Sequence, residues 1–277
     1  MNVEIMNCSN GHINAWVTNE EGSERWMLTG FYGQPNSSLR VESWQLLASM
    51  KPSERVGWCV MGDFNEVLTH DEKSRGKQSQ EKQMVRFREA LEDGGLFDLG
   101  WRDDNYTWSN NHGDDTLTKE RLDRAVANLR WKEMFKEAWV EVLVARCSDH
   151  RSLLLSMNQE PAKVWRGKRL FRYEAKWSLM DDCEEVIKRA WQVRATKRAS
   201  GRGLQSLLEN SKGALMQWSK RIEHDRRRDL KEKTELLKKL QGNEGWHNSE
   251  EIKKVQNEIG VCLEMEDLKW SQRAKVD

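Results

Sequence analysis

The chain has 277 residues, 33% of them charged and 37% hydrophobic, with a formal net charge of +1. That length fits one large domain, or one domain with an appendage, and the near-neutral balance excludes a polycation, so any nucleic-acid binding must come from local patches of Lys and Arg. No apolar run reaches the ~20 residues of a membrane helix. The opening MNVEIMNCSNGHINAWV lacks the basic stretch and apolar core of a secretory signal, and five scattered cysteines without a CxxC pair argue against a disulfide framework and for a reducing, intracellular compartment.

In chain order, HINAWVT alternates with period two and predicts a strand with Ile13, Ala15 and Val17 on one face. WMLTGFYG (26–33) and WCVMG (58–62) are short apolar runs closed by turn residues, the pattern of buried strands. EKQMVRFREALEDGG predicts a helix with Met84, Phe87 and Leu91 on one face and a stop at Gly94 or Gly95. NYTWS predicts a strand. LDRAVANLRWKEMFKEA predicts a helix packed through Leu129, Met134 and Phe135. WVEVLVA and SLLLSM predict two strands flanking the polar loop RCSDHR. Mixed strands and helices of this kind imply a layered α/β (α+β) domain.

Near Pro161 the strand signals fade, which divides the chain into residues 1–160 and a charged helical region, 161–277. Leu204, Leu208, Leu215, Trp218 and Ile222 recur on one helical face. HDRRRDLKEKTELLKKL continues that helix, and its basic runs at 226–228 and 238–239 alternate with acids, as on a solvated face. GNEGWHNS reads as a turn, with Ser249 capping a helix striped by Ile252, Val255, Ile259 and Leu263. The pattern predicts a helical hairpin or coiled-coil-like tail, through which the chain would self-associate.

Three polar islands carry possible chemistry. Asp63 and Asn65, straight after a buried strand, put a carboxylate and a carboxamide at one cleft, suited to a metal, a water or a phosphate; the bland alternative is an Asp-Asn turn. Ser148-Asp149-His150 lies in a loop between two apolar runs, where Asp149 suits a cation and His150 a phosphate. Asp123, within Glu120-Arg121-Leu122-Asp123-Arg124, suits the orienting of an imidazole; the alternative is a surface ion-pair cluster.

Taken in order, FYG, GDFN, YTW, RLDR and SDH resemble the signature of the endonuclease/exonuclease/phosphatase superfamily. GFYGQP, GDFNEVL, EKSRG, FREALEDGGLFDLG, YTWSN, ERLDRAVAN and SDHRSLLL resemble its plant LINE-type (non-LTR) retrotransposon members over residues 10–157. LEMEDLKWSQRAKVD resembles the linker preceding the reverse transcriptase of such elements. The resemblance implies the C-terminal part of a four-layer α/β sandwich that hydrolyses DNA phosphodiesters with Mg²⁺, in the nucleus. It implies that Asp63 orients or deprotonates the attacking water and that Asn65 holds the water or a phosphate oxygen. His150 would stabilise the pentavalent phosphate and Asp123 would orient His150. Asp149 would sit at the metal, Tyr32 would contact the target phosphate, and Trp108 would line the DNA-facing cleft. The family's opening strand, with its Asn, and the next segment, with the Glu that is the main metal ligand, have no counterpart here. Ser152 stands where most relatives have proline. The expectation is therefore an incomplete endonuclease domain of weakened metal binding. The alternatives are a catalytically dead transposon remnant and a helical interaction protein.

Overall fold

Trp58, Cys59 and Val60 are all completely buried. Successive residues of a strand point to opposite faces, so this segment needs cover on both sides. The computed structural model, which describes residues 1–19, 24–77, 79–157, 171–192 and 202–274, shows how it is obtained. The first elements are β1 (Asn2–Ser9), β2 (His12–Thr18), β3 (Arg25–Tyr32), α1 (Arg40–Ser49), β4 (Trp58–Asp63), β5 (Lys73–Ser74), α2 (Glu81–Gly94) and β6 (Leu96–Asp98). There follow β7 (Trp108–Ser109), β8 (Lys119–Glu120), β9 (Asp123–Asn128), α3 (Leu129–Met134), β10 (Trp139–Val142), β11 (Leu153–Ser156), α4 (Cys183–Gln192), α5 (Arg202–Gly242) and α6 (Ser249–Ala274).

Six strands form one sheet in the order β1-β2-β3-β4-β9-β6. Its β3–β4 pairing is parallel, and its other pairings are antiparallel. Trp58, Val60 and Val126 face α1 and α2, where Leu47 and Phe87 are fully buried. Burial of a side chain of that kind contributes roughly 1.5–3 kcal/mol. Cys59 and Ala127 face the other way, towards Trp131 and the partly buried Phe135 and Leu155. The strand pair β10–β11 and the small sheet β5-β8-β7 complete the strands among the described residues. The chain is thus a mixed α/β structure.

Several expectations change in detail. The segment predicted as one helix from Leu122 is first a strand, β9, and becomes helical only at Leu129. Ala125, Val126 and Ala127 are fully buried, because β9 lies between β4 and β6 and is covered on both faces; such a strand shows no alternation that would separate it from a helix. Leu129 is 61% exposed, and Trp131 takes the buried place instead. In β2, Ala15 and Val17 are buried but Ile13 is exposed. The strand β1, paired antiparallel with β2, has a sequence that gave no period-two signal.

The chain divides into two compact units, Met1–Ala162 with Leu240–Glu251, and Lys163–Lys239 with Ile252–Asp277. The predicted boundary at 160/161 falls outside the described residues. In the second unit Trp177, Cys183, Leu215 and Trp218 form a cluster. Leu204 and Leu208 of the predicted stripe are exposed. Lys269 pairs with Glu223 at 3.3 Å and Lys233 with Glu258 at 3.4 Å. These contacts run in opposite directions along α5 and α6.

Candidate active site

The site begins as a row across one end of the six-stranded sheet. Tyr32 ends β3 and is in register with Asp63, the end of β4; Asp63 is in register with Asp123, the start of β9. The backbone there is crowded. Gly62 has φ 151°, and a Cβ on it would lie 2.0 Å from the Phe31 carbonyl oxygen; only glycine fits. Asn65 has φ 54°, a left-handed conformation that Asn adopts more readily than most residues. From that turn its backbone N–H donates to Asp63 Oδ1 at 2.8 Å, and its Nδ2 donates to Asp63 Oδ2 at 2.9 Å and to the Gly33 carbonyl at 2.8 Å. The carboxamide therefore fixes the Asp63 carboxylate.

His150 arrives from the loop after β10. A short antiparallel bridge places it opposite Trp108: Ser109 N–H donates to Asp149 O at 3.0 Å and Arg151 N–H to Thr107 O at 2.7 Å. Its Nδ1 is 2.9 Å from Asp123 Oδ2 and its Nε2 is 4.0 Å from Asp63 Oδ2. Asp123 accepts the hydrogen bond of the Nδ1–H group and so leaves Nε2 facing the Asp63 side. The buried Thr107 supports this arrangement, because its hydroxyl oxygen accepts from the N–H groups of Leu122 at 3.0 Å and Asp123 at 2.8 Å.

The electrostatics follow from this crowding. Burial, and then the nearby Asp123 carboxylate, push the Asp63 carboxyl up to about 6, against the Asn65 N–H and the charges of His150 and Arg40. The hydrogen bond that His150 donates to Asp123 holds its imidazole pKa above the ordinary range despite partial burial, with help from the charges of Asp123, Asp63 and Asp149. Asp149 is desolvated in part, yet it stays below the usual carboxylate range because the Trp108 indole donates to it at 3.0 Å.

The structure brings Asp63, Asn65, Asp123 and His150 together. Tyr32 lies beside them in the strand row, 54% exposed. Trp108 is half-buried against Val67, Met84 and Leu122 and spends its indole N–H on Asp149. Asp149 stands outside the central group. The Glu120–Arg124 island is more than a surface cluster: Arg121 and Arg124 are buried. Arg124 Nη2 pairs with Glu72 at 2.8 Å and Nη1 with Asp98 at 3.0 Å; Arg121 reaches the same two carboxylates at 2.8 and 2.9 Å. Sequence reasoning missed Thr107, Glu72 and Asp98. For Thr107 the signal was its place in YTW; nothing local marks the other two.

Asp63, Asp123 and His150 form a group able to hold a metal ion, one ligand atom from each lying within 4.8 Å of the others. The donor set fits a divalent cation. Two carboxylates on neighbouring strands repel one another, and a cation between them would remove that repulsion.

No family model and no curated protein matches the chain. Among solved structures it is similar to the endonuclease domain of TRAS1, a telomere-specific non-LTR retrotransposon, at 14% identity and TM-score 0.42 over 57% of this chain and 70% of that one. It is similar to an endonuclease/exonuclease/phosphatase family protein from Bacteroides thetaiotaomicron at 19% identity and TM-score 0.35, over 51% of this chain and 54% of that one. A truncated Caenorhabditis elegans TDP2 gives 14% identity and TM-score 0.33, over 55% of this chain and 64% of that one. The chain thus spans about half to 70% of the length of these structures.

Proposed function

We propose that residues 1–157 carry a divalent-metal-dependent DNA endonuclease site of the endonuclease/exonuclease/phosphatase type, derived from a LINE-type retroelement. The observation that carries this reading is the convergence of Asp63, Asn65, Asp123 and His150 at one end of the sheet. The two-sided sheet is then part of a four-layer sandwich, and α5 with α6 is the linker hairpin beyond it. Asp63, its carboxylate fixed by the Asn65 N–H and carboxamide, orients the attacking water and accepts its proton. His150, oriented by Asp123, whose hydrogen bond favours the imidazolium, donates from Nε2 to the phosphoryl oxygen that gathers charge. Mg²⁺, held by Asp63 and Asp123 with Asp149 at the rim, would supply Lewis-acid stabilisation of the phosphate and of the leaving 3′ oxygen. Tyr32 and Trp108 line the approach of the DNA strand.

The test is nicking of supercoiled plasmid by the purified chain, with Mg²⁺ or with EDTA, beside Asp63→Ala and His150→Ala. Metal-dependent nicking that falls roughly 100-fold or more in both variants is expected. A folded wild-type chain that does not nick would establish the competing reading, a catalytically dead remnant.

A further inference from the structure

The loop carrying His150 is tied to the Trp108–Ser109 strand by Ser109 N–H to Asp149 O and by the Trp108 indole to Asp149 Oδ2, both at 3.0 Å, and to β9 through His150 Nδ1 and Asp123 at 2.9 Å. Its ends are tied by Leu143 N–H to Ser152 O at 2.8 Å and by Arg151 N–H to Thr107 O at 2.7 Å, while Cys147, Ser148 and Asp149 between them are exposed. The remaining anchors come from residues about 90 positions further along the chain, in the segment Leu240–Glu251 that belongs to the same compact unit. Gln241 is buried, and its carboxamide meets the Ala145 peptide twice: Ala145 N–H donates to Oε1 at 3.0 Å, and Nε2 donates to the Ala145 carbonyl at 2.9 Å. A carboxamide paired with a peptide in this way reproduces one rung of a strand ladder. Arg151, immediately after His150, is buried and donates from Nη2 to the Gln241 carbonyl at 3.1 Å and to Glu244 Oε2 at 3.2 Å; its Nη1 pairs with Asp104. The other oxygen of Glu244 accepts from Ser109 Oγ at 2.9 Å, and the Glu244 carbonyl accepts from Lys119 Nζ at 3.3 Å.

Glu244 therefore bridges the two backbone segments that form the Trp108–His150 pairing. The bridge is itself stiff. The Asn248 side chain donates to the carbonyls of Leu240 and Asn243 at 3.1 and 3.2 Å and accepts from Gly245 N–H at 3.0 Å, closing the turn on itself. Catalytic groups require supports that are themselves locked, and this turn is such a support.

We infer that the Leu240–Glu251 turn is a clamp that positions the His150 loop, with Gln241 and Glu244 as positioning residues that touch no reacting atom. The positioning role rests on the nuclease reading above; the clamp on the loop does not. It places residues Leu240–Glu251 of the same compact unit within the support of the candidate site.

The test compares the full-length wild type with Gln241→Ala, Gln241→Met and Glu244→Gln by amide hydrogen exchange and by plasmid nicking. Gln241→Met keeps the buried volume and removes both hydrogen bonds. Loss of both Gln241 side-chain hydrogen bonds predicts exchange roughly 30-fold faster in peptides covering 143–151, in Gln241→Ala and Gln241→Met alike, with peptides over β3 and β4 unchanged. Glu244→Gln loses the charge facing Arg151 and gives a smaller change in the same peptides. In nicking assays kcat falls roughly tenfold and KM stays put. Unchanged exchange at 143–151, or full rescue by Met, overturns the clamp. Faster exchange with unchanged kcat overturns the positioning role. Faster exchange in a chain whose wild type does not nick leaves the clamp standing and removes the nuclease reading instead.

Discussion

Arg124 offers a direct test of how the site is supported. Its side chain has no exposed surface, it reaches both Glu72 and Asp98, and its Nη2 also donates to the carbonyls of Glu66 at 3.3 Å and Arg121 at 2.9 Å. Arg124→Met keeps the volume and removes the charge. Arg121 remains, but one guanidinium must then serve the buried Glu72 and the partly buried Asp98. Removing one partner of a buried ion pair costs about 3–5 kcal/mol, mostly because the other charge stays buried without compensation. For a unit of this size that corresponds to a fall in Tm of roughly 6–20 °C, measurable by calorimetry at pH 7. The pH dependence distinguishes charge from packing. Burial alone would raise the carboxyls of Glu72 and Asp98, but Arg124 and Arg121 hold both below the ordinary range. Carboxylates depressed in the fold stabilise it above their ordinary pKa and lose that contribution as pH falls through the folded values. The gap between wild type and variant is therefore widest near neutrality and narrows towards pH 4, where the variant's carboxylates protonate. A Tm change under about 2 °C, or a gap that does not vary with pH, would refute the account.

Two further predictions concern the site's geometry and charge. Gly62→Ala forces a Cβ to within 2.0 Å of the Phe31 carbonyl at φ 151° and should destabilise the unit by about 3 kcal/mol or more; a urea midpoint equal to wild type would show that β3 and β4 can part there. Asp63 is raised from 3.8 to about 6, so its contribution to stability is full below its unfolded pKa and is lost as pH rises through about 6. The change corresponds to about 3 kcal/mol. Relative to wild type, Asp63→Asn in metal-free buffer should thus gain stability between pH 4 and pH 7.5, and a difference that is flat across that range would contradict the crowding of Asp63 by burial and by Asp123.

How much of this was legible in the sequence depends on the range of the interaction. Strands β3 and β4 and helix α2 were readable because short apolar runs with turn stops, and the Met84–Phe87–Leu91 spacing, are local signals. β9 was not, because its burial on both faces is set by β4 and β6, far away in the sequence, and an unbroken Ala-Val-Ala run looks the same in either conformation. Asp63, Asn65, Asp123 and His150 were each visible as polar residues beside apolar runs, but it takes the register of β4 with β9 and the Trp108–His150 bridge to make neighbours of them. Glu72 and Asp98 carry no local mark, since a carboxylate that will be buried by a distant arginine looks like any surface acid.

The Arg121-Leu122-Asp123-Arg124 tetrad shows why that register matters to the chemistry. In β9 adjacent residues point to opposite faces, so Asp123 turns to His150 while Arg124 turns to Glu72 and Asp98. Arg124 also holds the carbonyl of Glu66, the residue after Asn65, and Phe64 N–H donates to Leu122 O at 2.9 Å. The chain leaving β4 and the chain entering β9 are thereby tied on both sides of the Asp63–Asp123 pair. Two carboxylates that repel one another need such a tie in order to stay adjacent without a cation. The ion-pair network therefore fixes the spacing of the two acids, and it makes the candidate metal group a property of the folded sheet end itself.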